Sequence, residues 1–296
     1  MTLNVALTGS TGFLGNLIAQ SLERKGVRVH HVNRSLSKSQ LSFGEKGSFI
    51  DAASSAEELQ AIFCKLGIQI VVHAATHFTP SRDIKVIPDV IRANFDFSVR
   101  VFEAAKRSGA RFINFNSFWQ DAHSEVGMGP YAATKEAFRH YLGVASSASM
   151  RVENIYVPET FGPNDPRDKV IANLISSKIT GGRYEIRNKD AKIDLAYAPF
   201  LADFVGAIAT DGPAQQSKYA FVNFREVSLG ILRHAIDEIG GSQSTVNPLT
   251  RPTWIGRPDS KLTHDHDMKI EGMMPESSLT HLLEYAYFTD FKLARQ

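Results

Sequence analysis

Thr8-Gly9-Ser10-Thr11-Gly12-Phe13-Leu14-Gly15 sets three glycines three residues apart. They lie between a buried strand pattern at Leu3-Asn4-Val5-Ala6-Leu7 and an amphipathic helix pattern over 13–25. Phe13, Leu14, Leu17, Ile18 and Leu22 recur at helical spacing, and Gly26 stops the run. Glycine permits a tight turn and lets the backbone approach a pyrophosphate. The N–H groups and dipole at the start of a helix then favour negative charge. Glycine spacing alone also fits a plain strand-to-helix turn. The strand before it and the amphipathic helix after it favour a dinucleotide-binding loop.

The alternation continues outward from this loop. Strand patterns fall at 27–32, 48–50, 68–74, 111–117 and 152–157. Helical patterns lie between them, from about 55 to 67, over 86–107 and over 131–144. The series predicts an α/β fold, a doubly wound parallel Rossmann sheet with helices on both faces and right-handed crossovers. Ligands then bind at the carboxyl ends of the strands. After Pro158 the rhythm changes at the turn cluster Gly162-Pro163-Asn164-Asp165-Pro166. Helical patterns follow at 169–178, 201–209, 228–239 and 277–287, with two short strand-like runs after Gly181-Gly182. The expected division is a dinucleotide-binding domain over 1–160, rejoined by segments near 192–225, and a smaller substrate lobe over 161–296.

Bulk composition narrows the function classes. The 296 residues are 43% hydrophobic and 22% charged, enough for a full core. A net charge of +2 without a basic run argues against a nucleic-acid partner. The single cysteine, Cys64, excludes an intramolecular disulfide and reads as a small core residue. With no leader pattern and no apolar run long enough for a bilayer, a cytoplasmic protein without a membrane partner is expected. No metal is expected: His264-Asp265-His266-Asp267 reads as a solvated loop without a distant ligand. His73 and His77 read as strand-end packing.

Which dinucleotide binds depends on the end of the second strand. An acid there would bond a ribose 2′-hydroxyl, and an arginine would accept a 2′-phosphate. The chain has Asn33-Arg34-Ser35, with Lys38 nearby and no acid. NADP(H) is expected, with NAD the alternative if Arg34 is a solvated flanking residue. Asp51 is placed to meet the adenine or to cap the following helix.

Tyr131 and Lys135 lie four apart at the start of a helix, on one face. A free phenol has a pKa of about 10. A nearby ammonium favours the phenolate and makes the phenol a usable proton carrier. Ser117 ends the fifth strand, where its hydroxyl can bond and polarise a reacting carbonyl. Read alone, Ser117 would be a turn serine and Tyr131 a surface helix residue.

These motifs together resemble the extended short-chain dehydrogenase/reductase family, in its nucleotide-sugar branch. The resemblance covers the glycine loop, His73-Ala74-Ala75, Asn94, Ser117, Tyr131, Lys135 and Phe161-Gly162-Pro163-Asn164-Asp165-Pro166-Arg167. It implies Ser117, Tyr131 and Lys135 as a catalytic triad. The expected cofactor contacts are Gly9, Thr11, Gly12, Phe13, Leu14 and Gly15, then Asn33, Arg34, Ser35, Asp51 and Ala52. Ala74, Ala75, Thr76, Asn94 and Pro158 complete them with Tyr131 and Lys135. Asn94 read alone would be an exposed helix residue.

Sugar-nucleotide 4,6-dehydratases of the family carry an Asp-Glu pair after the catalytic hydroxyl residue. This chain has Phe118-Trp119, which cannot carry a proton. The flanking segments resemble CDP-abequose and CDP-paratose synthase-type 4-ketoreductases. That resemblance implies NADPH-dependent reduction of a 4-keto-6-deoxyhexose nucleotide. Ile193-Asp194-Leu195 and Val157-Pro158-Glu159-Thr160 depart from the family pattern and leave the nucleotide and sugar open. Ser117, Trp119, Thr160, Lys169 and Arg257 are the expected substrate contacts. Solvated charge is the alternative for Lys169 and Arg257, and a core position for Trp119. The rival functions are an NAD-dependent 4-epimerase and a non-catalytic NADP sensor. Pairing of the helices at 86–107 and 131–144 across a two-fold would give a homodimer.

Overall fold

The structure is a computed structural model. It describes residues 2–35, 48–120, 129–146, 150–162, 165–167, 169–210, 218–239, 269–275 and 278–287. From β1 (Asn4–Thr8) the chain runs through α1 (Phe13–Arg24), β2 (Arg28–Asn33), β3 (Ser48–Asp51), α2 (Ala56–Leu66) and β4 (Ile70–His73). It continues through α3 (Ile87–Ile91), α4 (Phe97–Ser108), β5 (Arg111–Ser117), α5 (Pro130–Ala145) and β6 (Val152–Val157).

Val5, Ala6 and Leu7 of β1 are buried, and β1 pairs in parallel with both β2 and β4. β2 pairs in parallel with β3, and β4 with β5. The sheet order from that edge is β3-β2-β1-β4-β5-β6, continued by β9 (Lys218–Phe221) and β11 (Lys269–Glu271). The chain winds outward from β1 to β3, then returns to lay β4 on the other side of β1. At such a reversal the connections leave the carboxyl ends toward opposite faces of the sheet and open a crevice, which is where ligands of doubly wound sheets bind. The glycine loop leaves β1 at that point.

Local sequence explains the covering helices. Ser55 caps α2 with a full capping box: its side chain accepts the Glu58 N–H, and the Glu58 carboxylate accepts the Ser55 N–H. The capping alternative for Asp51 is therefore displaced; its carboxylate accepts the Ala53 N–H at 2.8 Å instead. Leu59 and Phe63 form the buried face of α2 and join a core with Phe102, Phe112 and Phe138. Cys64 sits one step round from Phe63 and is exposed, which corrects its expected core position. The helix expected over 86–107 is broken by a π-turn at Arg92–Asp96, which turns Asn94 inward. Ile84, Ile91 and Val144 are exposed apolar residues in or beside these helices.

Contacts divide the chain into two units. The first is Met1–Tyr156, Ala202–Tyr219 and Leu262–Met268; the second is Val157–Leu201, Ala220–Lys261 and Lys269–Gln296. Of the segment expected to return near 192–225, residues 202–219 group with the first unit and 192–201 with the second. The reason is pairing: β8 (Lys192–Tyr197) lies between β7 (Glu159–Phe161) and β10 (Phe224–Ser228) in a separate three-stranded sheet. β8 is the one strand described between Gly182 and α7 (Ala198–Thr210), where two were expected. The helices α6 (Val170–Thr180), α8 (Leu229–Asp237) and α9 (Leu279–Ala286) supply the apolar core of this unit with Phe161, Tyr197 and Phe224. No helix among the described residues is long and apolar enough to cross a membrane.

Candidate functional site

Backbone packing requires two of the loop glycines. Gly9 has φ +71°, and a Cβ there would lie 2.7 Å from the backbone N and Cα of Ala75. A Cβ on Gly15 would lie 2.1 Å from the Gly9 carbonyl oxygen. The loop closes through the Gly12 N–H, which donates to Gly9 O at 2.9 Å, and Gly12 caps α1 with no side chain at the helix start. This cradle fits a dinucleotide pyrophosphate: it leaves bare backbone at a helix N-terminus. Gly15→Ala is expected to cost about 1–3 kcal/mol of stability and to weaken dinucleotide binding, because backbone must move to admit the methyl. Gly143→Ala is the control, since nothing lies within 4 Å of its Cβ position in α5. It should stabilise the helix by up to about 1 kcal/mol. Thermal melts and nucleotide titration of both variants test the contrast; equal behaviour would refute it.

A directional hydrogen-bond chain ties β1 to the π-turn. The Ala75 N–H donates to Thr8 Oγ1 at 3.0 Å. The Thr8 hydroxyl meets His73 Nδ1 at 2.9 Å, and His73 Nε2 meets Ser98 Oγ at 2.8 Å. The Ser98 hydroxyl donates to the Asn94 carbonyl at 2.8 Å. Ser98 spends its proton on that carbonyl, so His73 Nε2 carries the hydrogen; with the ring neutral, Nδ1 accepts from Thr8. Burial, reinforced by the positive Lys135, keeps the ring neutral by pushing its pKa down to about 3. His73 also stacks on Phe112, so the expected packing role is joined by a polar one.

Asn94 is the crossing point of the site. Its Oδ1 accepts from the Thr76 hydroxyl at 3.0 Å and the His77 N–H at 2.7 Å. Its Nδ2 donates to His77 O and to Thr134 Oγ1, both at 3.2 Å. Thr134 in turn donates toward the Pro130 and Tyr131 carbonyls. Asn94 is 1% exposed, so the exposed-helix alternative does not hold. It links the loop after β4 to the first turn of the helix that carries Tyr131 and Lys135.

The three candidate proton-handling residues are held differently. Lys135 is buried, and its Nζ donates to the Phe115 carbonyl at 2.9 Å, two residues before Ser117. Burial pushes its pKa down to about 8. Tyr131 is partly buried, with its ring edge-on to Phe78 at 5.1 Å between centroids. Ser117 is buried at the end of β5, and its Oγ accepts the Trp119 N–H at 3.3 Å. Phe118–Gln120 form a 3-10 turn in which Trp119 is 42% exposed, so Trp119 is not a core residue.

The expected nucleotide-selecting residues divide. Asn33 is buried and donates to Ser10 Oγ at 2.8 Å, which commits its amide to the glycine loop. His31 Nδ1 meets the same Ser10 oxygen at 2.9 Å; burial lowers its pKa to about 4. Arg34 is exposed and Ser35 partly so. Thr11 and Thr76 are exposed, Phe13, Leu14 and Ala74 partly buried. Ala52 is buried, its N–H on the Asn33 carbonyl and its own carbonyl on Arg100.

In the second unit, Pro158 and Thr160 are buried. The Thr160 hydroxyl accepts from Arg167 at 2.8 Å, and Arg167 also grips Asp165. Lys169 pairs with Glu159 at 2.9 Å, and both side chains are nearly buried, so Lys169 is not a solvated surface charge. Arg257, Lys38 and the segment 264–267 lie outside the described residues. Among those described, no cluster of three or more His, Cys, Asp or Glu could hold a metal ion. Sequence reading missed Thr8, Ser10, Ser98, Gln120 and Thr134. Thr8 and Ser10 had a signal, as polar members of the glycine loop, and so did Thr134, inside the Tyr131–Lys135 turn; Ser98 and Gln120 had none.

Strand order, glycine cradle and the Ser117, Tyr131, Lys135 set define the chain as a Rossmann-fold protein of the extended short-chain dehydrogenase/reductase type. It belongs to the NAD dependent epimerase/dehydratase family, which it matches over residues 5–219. It is 23% identical over 212 residues to a CDP-abequose synthase of Yersinia pseudotuberculosis, covering 70% of this chain and 72% of that one. Its fold is similar to the UDP-glucose 4-epimerase of Thermotoga maritima, solved with UDP-glucose, with TM-score 0.74, 17% identity and 99% and 100% of the two chains covered. The UDP-glucose 4-epimerase of Thermus thermophilus, solved with NAD, gives TM-score 0.67 at 18% identity over 81% and 84%.

Proposed function

We propose that the chain reduces the 4-keto group of a nucleotide-activated 6-deoxyhexose, with NADPH as reductant. The observation that carries this reading is the turn after Ser117. Phe118, Trp119 and Gln120 occupy it, and none exchanges a proton near neutral pH. An elimination across C5 and C6 needs an acid and a base there. Ketone reduction needs only one polarised oxygen and one proton donor. The likeness to a CDP-abequose synthase supports the same class.

Gly9, Gly12, Gly15 and the start of α1 would hold the pyrophosphate, and Arg34 with Ser35 the 2′-phosphate. Asp51 and Ala52 would face the adenine. Ala74, Ala75 and Thr76 would line the cofactor beyond it. When bound, the dinucleotide supplies the hydride that C4 receives. Ser117 Oγ already accepts the Trp119 N–H, so its own hydroxyl is left to donate to the sugar carbonyl oxygen. Tyr131 gives that oxygen its proton. Lys135 would favour the resulting phenolate and would hold the nicotinamide ribose of the bound dinucleotide. Trp119 walls the sugar, and Thr160, Lys169 and Arg257 are the proposed contacts to the rest of the substrate.

A second reading, an NAD-dependent 4-epimerase, is favoured by the likeness to 4-epimerases over almost the whole chain. A screen separates the two. The reductase should oxidise added NADPH in preference to NADH with at least one CDP-, dTDP- or GDP-4-keto-6-deoxyhexose. Purified protein that carries stoichiometric NAD and consumes no NADPH would replace the reductase by the epimerase.

A further inference from the structure

Gln120 is buried at the end of the 3-10 turn after β5. Its Oε1 accepts the Ser117 backbone N–H at 2.7 Å. Its Nε2 donates to Glu136 Oε2 at 3.0 Å, with a longer contact of 3.5 Å to Asn116 Oδ1. Glu136 follows Lys135 in α5 and is fixed in turn by Arg139 Nε at 2.9 Å and by His140 at 3.1 Å. Arg139 holds the Glu136 carboxyl below the usual range, so it stays an ionised acceptor. One side chain therefore joins the end of β5 to the helix that carries Tyr131 and Lys135.

The chemistry suits an amide. An amide end can accept from an N–H with one atom and donate to a carboxylate with the other. A carboxylate at position 120 would still accept from Ser117 but would face Glu136 with like charge. An aliphatic side chain would do neither. We propose that Gln120 is a positioning residue. It fixes the Ser117 hydroxyl relative to Tyr131 by bridging the Ser117 amide to Glu136. The proposal rests on the reading of Ser117 and Tyr131 given above. Its bridge is a complete path: Ser117 N–H to Gln120, and Gln120 to Glu136, a residue of α5 whose carboxylate is held in place by Arg139. Loss of the bridge frees the turn to shift against the helix, and misplacement by about 1 Å costs a reaction up to about 100-fold.

Three variants test it: Gln120→Leu, Gln120→Glu, and Gln120→Glu combined with Glu136→Gln. In the combined variant the donor and acceptor exchange places and the bridge is restored. Gln120→Leu and Gln120→Glu should each lower kcat by about 10- to 100-fold with KM nearly unchanged. The combined variant should recover most of kcat. In a Ser117→Ala background, Gln120→Leu should add less than about a twofold further loss, because its effect passes through Ser117. Amide exchange at Ser117 should be slow in the wild type and the combined variant, and fast in Gln120→Leu. Wild-type kcat in Gln120→Leu, no recovery in the combined variant, or a full additional loss in the Ser117→Ala background would each overturn the proposal. If the wild type turns over no sugar nucleotide, the reading of the reaction fails instead. Amide exchange then still decides the bridge: faster exchange at Ser117 in Gln120→Leu supports it, and unchanged exchange overturns it.

Discussion

Tyr131→Phe is expected to lower turnover by about 100- to 10,000-fold, the range set by removing a positioned proton donor. Dinucleotide binding should change little. The substitution deletes one oxygen and keeps the ring, so the edge-on contact with Phe78 at 5.1 Å survives. The partly buried position also limits the cost to folding. The two measurements are kcat on the screened substrate and the Kd for nucleotide. A loss confined to kcat identifies Tyr131 as the proton donor. Retention of substantial turnover would remove the phenol from the mechanism. A parallel loss of nucleotide affinity would mean that the ring, not the oxygen, matters.

Lys135→Met should split function from stability. Activity should fall by about 100-fold or more, since the phenol loses the charge that favours its ionised form. Stability of the nucleotide-free protein at pH 7 should rise. Burial holds the Lys135 pKa at about 8, against 10.5 for a free lysine. The folded state thus binds its proton less tightly than the unfolded state does. Between pH 8 and 10.5 the unfolded chain carries more protons, so this group adds stability as pH rises through that window. Below pH 8 the full penalty is present. At about 1.4 kcal/mol per pH unit it amounts to about 3 kcal/mol. The hydrogen bond to the Phe115 carbonyl offsets part of it, at about 1.5–3 kcal/mol when charged. Lys135→Met should therefore gain up to about 1.5 kcal/mol at pH 7, at most a few degrees in Tm. The gain should shrink as pH climbs from 8 to 10.5. Melts of both proteins across that range test the sign. A lower Tm for the variant at pH 7 would show that the Phe115 bond outweighs burial of the charge.

How much of this was legible depended on sequence distance. The glycine loop and the Tyr131–Lys135 turn are local, and their spacing alone carries their geometry. The phase of α2 decides Cys64: Leu59 and Phe63 face the core, and Cys64, about 100° round the helix from Phe63, faces out. The π-turn at Arg92–Asp96 adds a residue to one helical turn, which no periodicity over 86–107 signals. It is nevertheless what buries Asn94. For Lys169 the sequence left a substrate contact and a solvated charge open, because its partner Glu159 lies ten residues away in the chain.

The sequence by itself determined the fold class and singled out the glycine loop and the proposed Ser117, Tyr131 and Lys135 set, because the motifs that carry them lie within one turn or one strand–helix junction. Tertiary structure alone decided how these parts are held. Thr8 meets His73 across 65 residues, and Asn94 meets Thr134 across 40. Such hydrogen bonds depend on two strands or helices lying side by side, and the same local pattern is compatible with many partners. The neutral tautomer of His73, the lowered pKa of Lys135 and the Gln120 bridge all follow from that packing, since burial and partner geometry, not residue type, set the charge and direction of a polar group.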